Sequence, residues 1–403
     1  DTAALFLSVH GAGVEAIGQA RAYKPKDWGT LVAPTNRRPR GFNWEDWGRI
    51  DALEVLEVAK TKFNPHPQKI YLTGHSMGGH GSWYLGATYP GKWAGVAPCA
   101  GYPTLMGYGS ADGKIPENST DKVEQMSLRA SNPSNVMKLA SNYKASGIYI
   151  LHGDADRTVS VEYARTMRNT LGTFHNDFSY YEYPNGSHWY GDHSVDWPAL
   201  FDFFQWHRSK KVEEMDVIDF TTANPAISSN YHWAGVEQQE IPLNYSHIQA
   251  KRNVADKSIS VTTDNVRALM IMPGAFPKGQ SFKVKIDEVE VCADCKLGDQ
   301  PLYFTKNAKW SATEKPAITQ KGSHRNGTFK AAFNHRMVFV YGTTGTKDEN
   351  EWAYNKARYD AETWYYRGNG AVDVIPDKEF SLTAYTDRGV VLFGNATTNS
   401  AWN

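Results

Sequence analysis

The sequence predicts an α/β protein in three parts: a domain with a mainly parallel sheet over residues 1–210, a β-sandwich-like domain over 211–329 and a small α/β lobe over 330–403. Three observations predict it. Strand-like apolar runs alternate with helix-compatible stretches through the first half, the pattern of a parallel sheet covered on both faces. Near Ser209 the rhythm changes to short strands separated by turns, the pattern of a sandwich. Near Lys330 a strand, a long helical stretch and further strands follow, a βαβ-like unit. A chain of 403 residues also exceeds one ordinary core.

The elements of the first part follow in order. Residues 5–9 read as a strand that ends in the glycine-bearing loop His10-Gly11-Ala12-Gly13. A second strand is expected over 30–33. The spacing predicts a helix over 48–61, with Ile50, Leu53, Val55, Leu56 and Val58 inward and Arg49, Asp51, Glu54 and Glu57 in water. A buried strand over 70–72 leads to a helix over 82–89. Strands over 93–100, 147–151 and 178–183 and helices over 161–171 and 197–208 complete the alternation. In such sheets the site lies beyond the carboxyl ends of the strands.

A polar linker, Lys210-Lys211-Val212-Glu213-Glu214, opens the second part. Its strands are expected over 217–220, 231–236, 247–250, 258–262, 267–272 and 281–291. The third part shows strands over 337–340, 371–375 and 390–393 around a helix over 350–366. Its Gly342-Thr343-Thr344-Gly345-Thr346-Lys347 run is similar to a phosphate cradle but lacks the P-loop spacing, so a tight strand-to-helix turn is expected.

Composition narrows the class. The net charge is zero, without the basic footprint of a nucleic-acid binder. No apolar run approaches ~20 residues, so no membrane span is expected. The chain opens Asp1-Thr2-Ala3-Ala4 without a signal-peptide pattern, and a secreted or periplasmic location is expected ahead of a cytoplasmic one. Cys99, at an apolar strand end, is expected to be a buried thiol. Cys292 and Cys295 form a lone Cys-x-x-Cys without a second zinc pair or a thioredoxin context, which leaves a local disulfide or two free thiols. No metal or cofactor is expected, and the oligomeric state stays open.

The chemistry is carried by Gly74-His75-Ser76-Met77-Gly78. This Gly-x-Ser-x-Gly pentapeptide sits between the strand over 70–72 and the helix over 82–89, the context a nucleophile elbow requires. Its glycines let strand and helix backbones approach where a Cβ would not fit. A serine hydroxyl is a poor nucleophile at neutral pH, so a base must take its proton and a third group must hold that base. Asp156 and Asp154 compete for the acid in His152-Gly153-Asp154-Ala155-Asp156-Arg157. Asp156 is preferred, with Asp154 capping the turn. His188 is the candidate base, just after the last strand, with His193 as rival. His75, His80 and His152 are read as structural. Developing oxyanion charge needs donors in place, and the backbone N–H groups of Met77 and Ala12 are the candidates, with Gly11 or Gly13 as alternatives to Ala12.

Gly-His-Ser-Met-Gly-Gly, His-Gly-x-x-Asp-x-x-Val and Gly-Ser-His, in this order, resemble the α/β-hydrolase superfamily. The similarity lies nearest the prolyl-oligopeptidase catalytic domain and polyhydroxybutyrate-depolymerase- and feruloyl-esterase-like enzymes, and it covers about residues 1–208. The resemblance implies an α/β-hydrolase fold with Ser76 as nucleophile, Asp156 as acid and His188 as base. Fuller sheets of that superfamily carry strands before the one over 5–9, so either a trimmed sheet or further upstream sequence is expected. No propeller-blade repeats accompany the motifs. Esters, small acyl or glycan-linked, are therefore expected ahead of peptides. A non-catalytic binding protein on the same scaffold is the reading from another class.

Substrate contacts are sought around the site. Arg37 and Arg38, after the second strand, could meet an anionic group. Trp44 and Trp189 could stack on a ring, and Trp28 and Trp47 lie in the same stretch as Trp44. The long connection over 102–145 is the expected place for specificity.

Overall fold

The computed structural model describes residues 3–105 and 118–402. Six strands, β1 (Ala4–Val9), β2 (Gly29–Val32), β3 (Ile70–His75), β4 (Gly95–Cys99), β5 (Gly147–Gly153) and β6 (Phe178–Tyr183), form one sheet in the order β2-β1-β3-β4-β5-β6. Every pairing in it is parallel. The helices of this half are α1 (Ala16–Arg21), α2 (Asp46–Phe63), α3 (Met77–Thr88), α4 (Lys122–Ser131), α5 (Val136–Leu139), α6 (Glu162–Leu171) and α7 (Pro198–Trp206).

Alternation along β1 shows why the sheet needs two covers. Leu5, Leu7 and Val9 join a core with Ala52 and Leu56 of α2, Leu85 of α3 and Met167 of α6. Ala4 and Phe6 face the other way and pack with Leu200, Phe201 and Phe204 of α7. Strands β1, β3, β4 and β5 are buried along their whole length, whereas β2 and β6, at the sheet's edges, are half-buried. Burying each large apolar side chain contributes about 1.5–3 kcal/mol.

Helix α2 departs from its expected face. Arg49 and Asp51 are buried while Val58 is exposed. Polar bonding turned the helix. Asp51 accepts from the backbone N–H groups of Thr35 and Asn36, and Arg49 donates to the Tyr89 hydroxyl at 2.7 Å. Hydrogen bonding lets the Asp51 carboxylate tolerate burial, while Arg49 is bonded through Nη1 and its Nε is buried without a partner among the described residues.

The second half holds two packed sheets. β7 (Val217–Thr222), β8 (Asn230–Tyr231), β9 (Ala234–Gln239), β10 (Ser246–Asn253), β11 (Ser258–Asp264), β12 (Val266–Ile271), β13 (Ser281–Ile286), β14 (Val289–Lys296), β15 (Leu302–Lys306) and β16 (Trp310–Thr313) assemble in the orders β14-β13-β11-β10-β7 and β16-β15-β12-β9-β8. Their inner faces share a core of Ile218, Phe220, Ile248, Val261, Phe282, Val284, Val236, Leu269 and Phe304. Two expected strands are hairpins instead. The run over 281–291 folds back at Asp287 and Glu288, and the run over 231–236 breaks at His232, all three residues having positive φ. Two consecutive positive-φ residues make a two-residue turn. β15 and β16 were not expected from the sequence. Cys292 and Cys295 form a disulfide on β14, and Cys99 is a buried free thiol.

The last part is the expected βαβ unit. β17 (Arg336–Tyr341), α8 (Lys347–Gly368), β18 (Asp373–Pro376) and β19 (Arg388–Phe393) give a parallel sheet in the order β18-β17-β19. The glycine-threonine run is a filled turn. Its amides are spent internally, Thr344 N–H on the Thr398 carbonyl and Gly345 N–H on Asn350, and Thr346 caps α8 in a reciprocal capping box with Glu349.

Candidate active site

Ser76 sits between β3 and α3 with φ 61° and ψ −118°, a strained conformation for a residue with a Cβ. The neighbouring glycines make it possible. A Cβ on Gly78 would lie 1.9 Å from the Val9 carbonyl oxygen, and one on Gly74 would lie 2.4 Å from the same atom. The turn is locked by Ser76 N–H donating to the Cys99 carbonyl at 3.0 Å. Its hydroxyl thereby stands beyond the carboxyl ends of the strands.

The other two residues arrive from the ends of β5 and β6. Ser76 Oγ lies 2.8 Å from His188 Nε2, and His188 Nδ1 lies 2.7 Å from Asp156 Oδ2. Asp156 Oδ1 accepts from the amides of Thr158 and Val159 at 2.8 and 2.9 Å. Burial alone would raise the Asp156 carboxyl. Hydrogen bonds from His152 and His188, and then from the Val159 and Thr158 amides, outweigh it and hold the group well below the usual carboxylate range. An ionised Asp156 only accepts, so His188 carries its proton on Nδ1 and turns the Nε2 lone pair to the serine.

The rivals lie elsewhere. Asp154 is exposed, and the turn-capping expected of it is performed by Oδ1 of Asp156 itself. His193 packs on Tyr183 and Trp197. His152 donates between the Val159 carbonyl at 2.8 Å and Asp156 at 3.3 Å. His75 Nε2 meets the His188 carbonyl at 2.6 Å, so it ties the elbow to the backbone of His188. Burial first, then the neighbouring His188, lowers the His75 ring to about 3, so it donates as the neutral imidazole.

The loop after β1 crosses in front of Ser76. Its conformation is set by His10, whose ring nitrogens meet the Gly11 and Thr35 carbonyls, and by Gly13 N–H on the Pro39 carbonyl. Among the described residues, neither Ala12 N–H nor Met77 N–H has a protein acceptor. Both residues flank the serine, Met77 by sequence and Ala12 across a cavity of about 470 Å³. Val14, Gly18, Arg21, Ala22, His188, Trp189 and Asp192 line the rest of it. The α1 residues were missed by sequence reasoning. Their signal was small residues four apart, Gly18 and Ala22, following the glycine-bearing loop.

Three expected substrate contacts are corrected. Trp44 is 0% exposed and donates its indole N–H to the His10 carbonyl at 2.9 Å, a packing role behind the loop. Arg37 lies over the Trp47 ring at 4.7 Å and beside Asp51. Arg38 donates to the Tyr365 carbonyl of α8. Neither arginine lines the Ser76 cavity. Trp28 packs edge-on against Phe6, and Trp47 against Trp364. Trp189, 46% exposed, does line the cavity. In the connection over 102–145, residues 106–117 lie outside the described residues, and none of the others lines the cavity.

Residues 8–205 match the Esterase family model, described as "Putative esterase". An "Uncharacterized secreted protein" of Arthroderma benhamiae is 26% identical over 302 residues, 70% of this chain and 32% of that protein. Poly(3-hydroxyalkanoate) depolymerase C of Paucimonas lemoignei is 31% identical over 121 residues, 25% of this chain and 28% of that protein. The chain thus spans about a third of the length of these relatives. Among solved structures, Est1E from Butyrivibrio proteoclasticus aligns with TM-score 0.38 and 16% identity over 51% of this chain and 87% of its own. S-formylglutathione hydrolase from Staphylococcus aureus aligns with TM-score 0.37 and 14% identity over 51% and 84%. The first half of the chain thus folds as an α/β-hydrolase-like unit, and residues 8–205 within it are similar to the Esterase family.

Proposed function

We propose that this half is a serine hydrolase that cleaves esters through an acyl-enzyme, with Ser76 as nucleophile, His188 as base and Asp156 as the acid that orients it. The observation that carries the reading is the hydrogen-bonded line Asp156–His188–Ser76, at 2.7 and 2.8 Å. In the first step Oγ attacks the ester carbonyl carbon while its proton passes to His188 Nε2. Asp156 stabilises the imidazolium so formed. The tetrahedral oxyanion receives the N–H groups of Met77 and Ala12, the first at the positive end of α3. As the intermediate collapses, the acyl C–O bond breaks and Nε2–H protonates the departing alkoxide. Water, deprotonated by the same nitrogen, then releases the acid and restores Ser76.

Small acyl or glycan-linked esters are the proposed substrates. Support comes from the Esterase match and from the cavity beside Ser76, whose wall at α1 and its flanks combines Val14, Gly18 and Ala22 with the polar Gln19 and Arg21. The test is a fluorophosphonate probe followed by peptide mapping, beside turnover of p-nitrophenyl esters and proline-containing peptides. Labelling at Ser76 with ester turnover is expected. A folded protein that resists the probe would sink the proposal, and peptide turnover without ester turnover would replace ester by amide.

A further inference from the structure

Asp156 and His188 stand on loops, and two histidines outside the Asp156–His188–Ser76 line tie those loops to the sheet. His75 is the last residue of β3 and is 7% exposed, and His152 lies in β5 and is 1% exposed. We propose that His75 and His152 are positioning residues, His75 for the base through the His188 carbonyl and His152 for the acid through Asp156 Oδ2 and the Val159 carbonyl. This rests on the serine-hydrolase reading and adds to it what holds the acid and base in line.

The direction of each bond follows from its partner. A carbonyl oxygen only accepts, so Nε2 of both rings carries a proton. His75 Nε2–H reaches the His188 carbonyl at 2.6 Å. His152 Nε2–H reaches the Val159 carbonyl at 2.8 Å and lies 3.3 Å from Asp156 Oδ2, the oxygen that also takes His188 Nδ1–H. The other carboxylate oxygen is held by the Thr158 and Val159 amides. Those amides fix the carboxylate within its own loop, whereas His152 fixes that loop to β5. The two loops also bond each other, Ala155 N–H donating to the Gly186 carbonyl at 2.9 Å. Acid and base are thus joined to one another and anchored at two strands, and strands hold a site more firmly than loops do.

The two histidines act differently on charge. Burial keeps the His75 ring neutral, and its centroid lies 4.8 Å from that of His188. It therefore supplies a donor without placing a second positive charge beside the imidazolium that forms on His188. His152 draws on the same Oδ2 that holds the His188 proton. Without it that oxygen would hold the proton harder, and the acid limb of kcat/KM would move to higher pH. The other titratable or charged groups that face the pair are Tyr190 and Asp192 after β6 and Arg21 of α1. All three stay the same in the variants below.

The experiment measures kcat, KM and the pH profile of p-nitrophenyl acetate turnover for His75→Phe and His152→Phe. Beside them stand His75→Gln and His152→Gln, which keep an N–H donor. Each Phe variant is expected to lose about tenfold or more in kcat with KM near the wild-type value, toward the about 10²-fold that a misplacement of about 1 Å costs. The Gln variants should recover most of that loss. The acid limb should move to higher pH in His152→Phe and stay in place in His75→Phe. Unchanged kcat in either Phe variant, or Gln variants as slow as the Phe ones, overturns the pair. An acid limb that stays in place in His152→Phe overturns the role of His152. Leu variants read the same quantities should a Phe variant fail to fold. If the wild type fails to turn over p-nitrophenyl acetate, the serine-hydrolase reading falls instead. Crystal structures of the wild type and the Phe variants then decide the pair. A His188–Ser76 separation beyond hydrogen-bond reach in the variants supports it, and an unchanged separation overturns it.

Discussion

The two strand-rich halves of the molecule use their strands in opposite ways. In the first sheet every strand is parallel, so all carboxyl ends meet at one edge. Ser76, Asp156 and His188 follow the ends of β3, β5 and β6, and they converge although up to 112 residues separate them. In the second half most pairings are antiparallel, so strand ends alternate between the two edges. The packing there is as complete, with Ile218, Phe220, Trp233 and Val284 all fully buried. The comparison teaches that burial alone does not gather chemistry. Parallel order with strained turns does.

The sharpest way to break this contrast is at Ser76. Ser76→Ala should lower kcat by about 10⁶-fold while the unfolding midpoint stays near that of the wild type. Asp156→Asn comes next. It keeps the shape but lets His188 take the wrong tautomer, so kcat should fall by about 10⁴-fold. Stopped assays with a p-nitrophenyl ester check both. Activity that survives either change would move the chemistry away from the parallel edge.

The opposite signature is expected in the sandwich. Phe282 is 1% exposed on β13 and stacks on Phe276. Phe282→Ala should destabilise that half by about 3–5 kcal/mol, read by denaturant unfolding, with kcat of the folded protein unchanged. A parallel fall in kcat would mean that the sandwich shapes the site. Ala12→Pro tests the first half more finely. It removes one N–H facing the proposed oxyanion and should cost about 10²–10³-fold in kcat with little change in KM.

What the sequence revealed follows the same division. The elbow turn was legible because strand, glycine turn and helix are adjacent, and Asp156 and His188, the proposed acid and base, because each follows a strand end in a fixed chain order. The hairpin at Asp287-Glu288 was not legible, since neither residue is the Asn or Gly that marks such turns. Trp44 was misplaced because its burial depends on α3. A Cβ on Gly81 would come within 2.6 Å of its ring, a contact 37 positions away. Arg37 and Arg38 were misplaced for a like reason: their neighbours, Trp47 and the end of α8, come from other elements. The bond from His75 to the His188 carbonyl likewise spans 113 residues, so adjacency to the serine alone did not reveal it.

The smallest effect is expected at the Cys292–Cys295 disulfide. Its half-cystines are three positions apart, so it closes a very short loop and removes little freedom from the unfolded chain. The chain-entropy relation gives about 2 kcal/mol for such a loop, an upper figure for what reduction can cost. Both cysteines lie on β14 at the edge of a sandwich sheet, away from the residues lining the Ser76 cavity. Mild reduction and alkylation should therefore shift the unfolding of the sandwich slightly and leave ester turnover at the untreated rate. Thermal unfolding beside a p-nitrophenyl ester assay reads both quantities on one sample. Turnover lost on reduction would couple the β14 edge to the parallel edge, and the two halves could no longer be treated as independent.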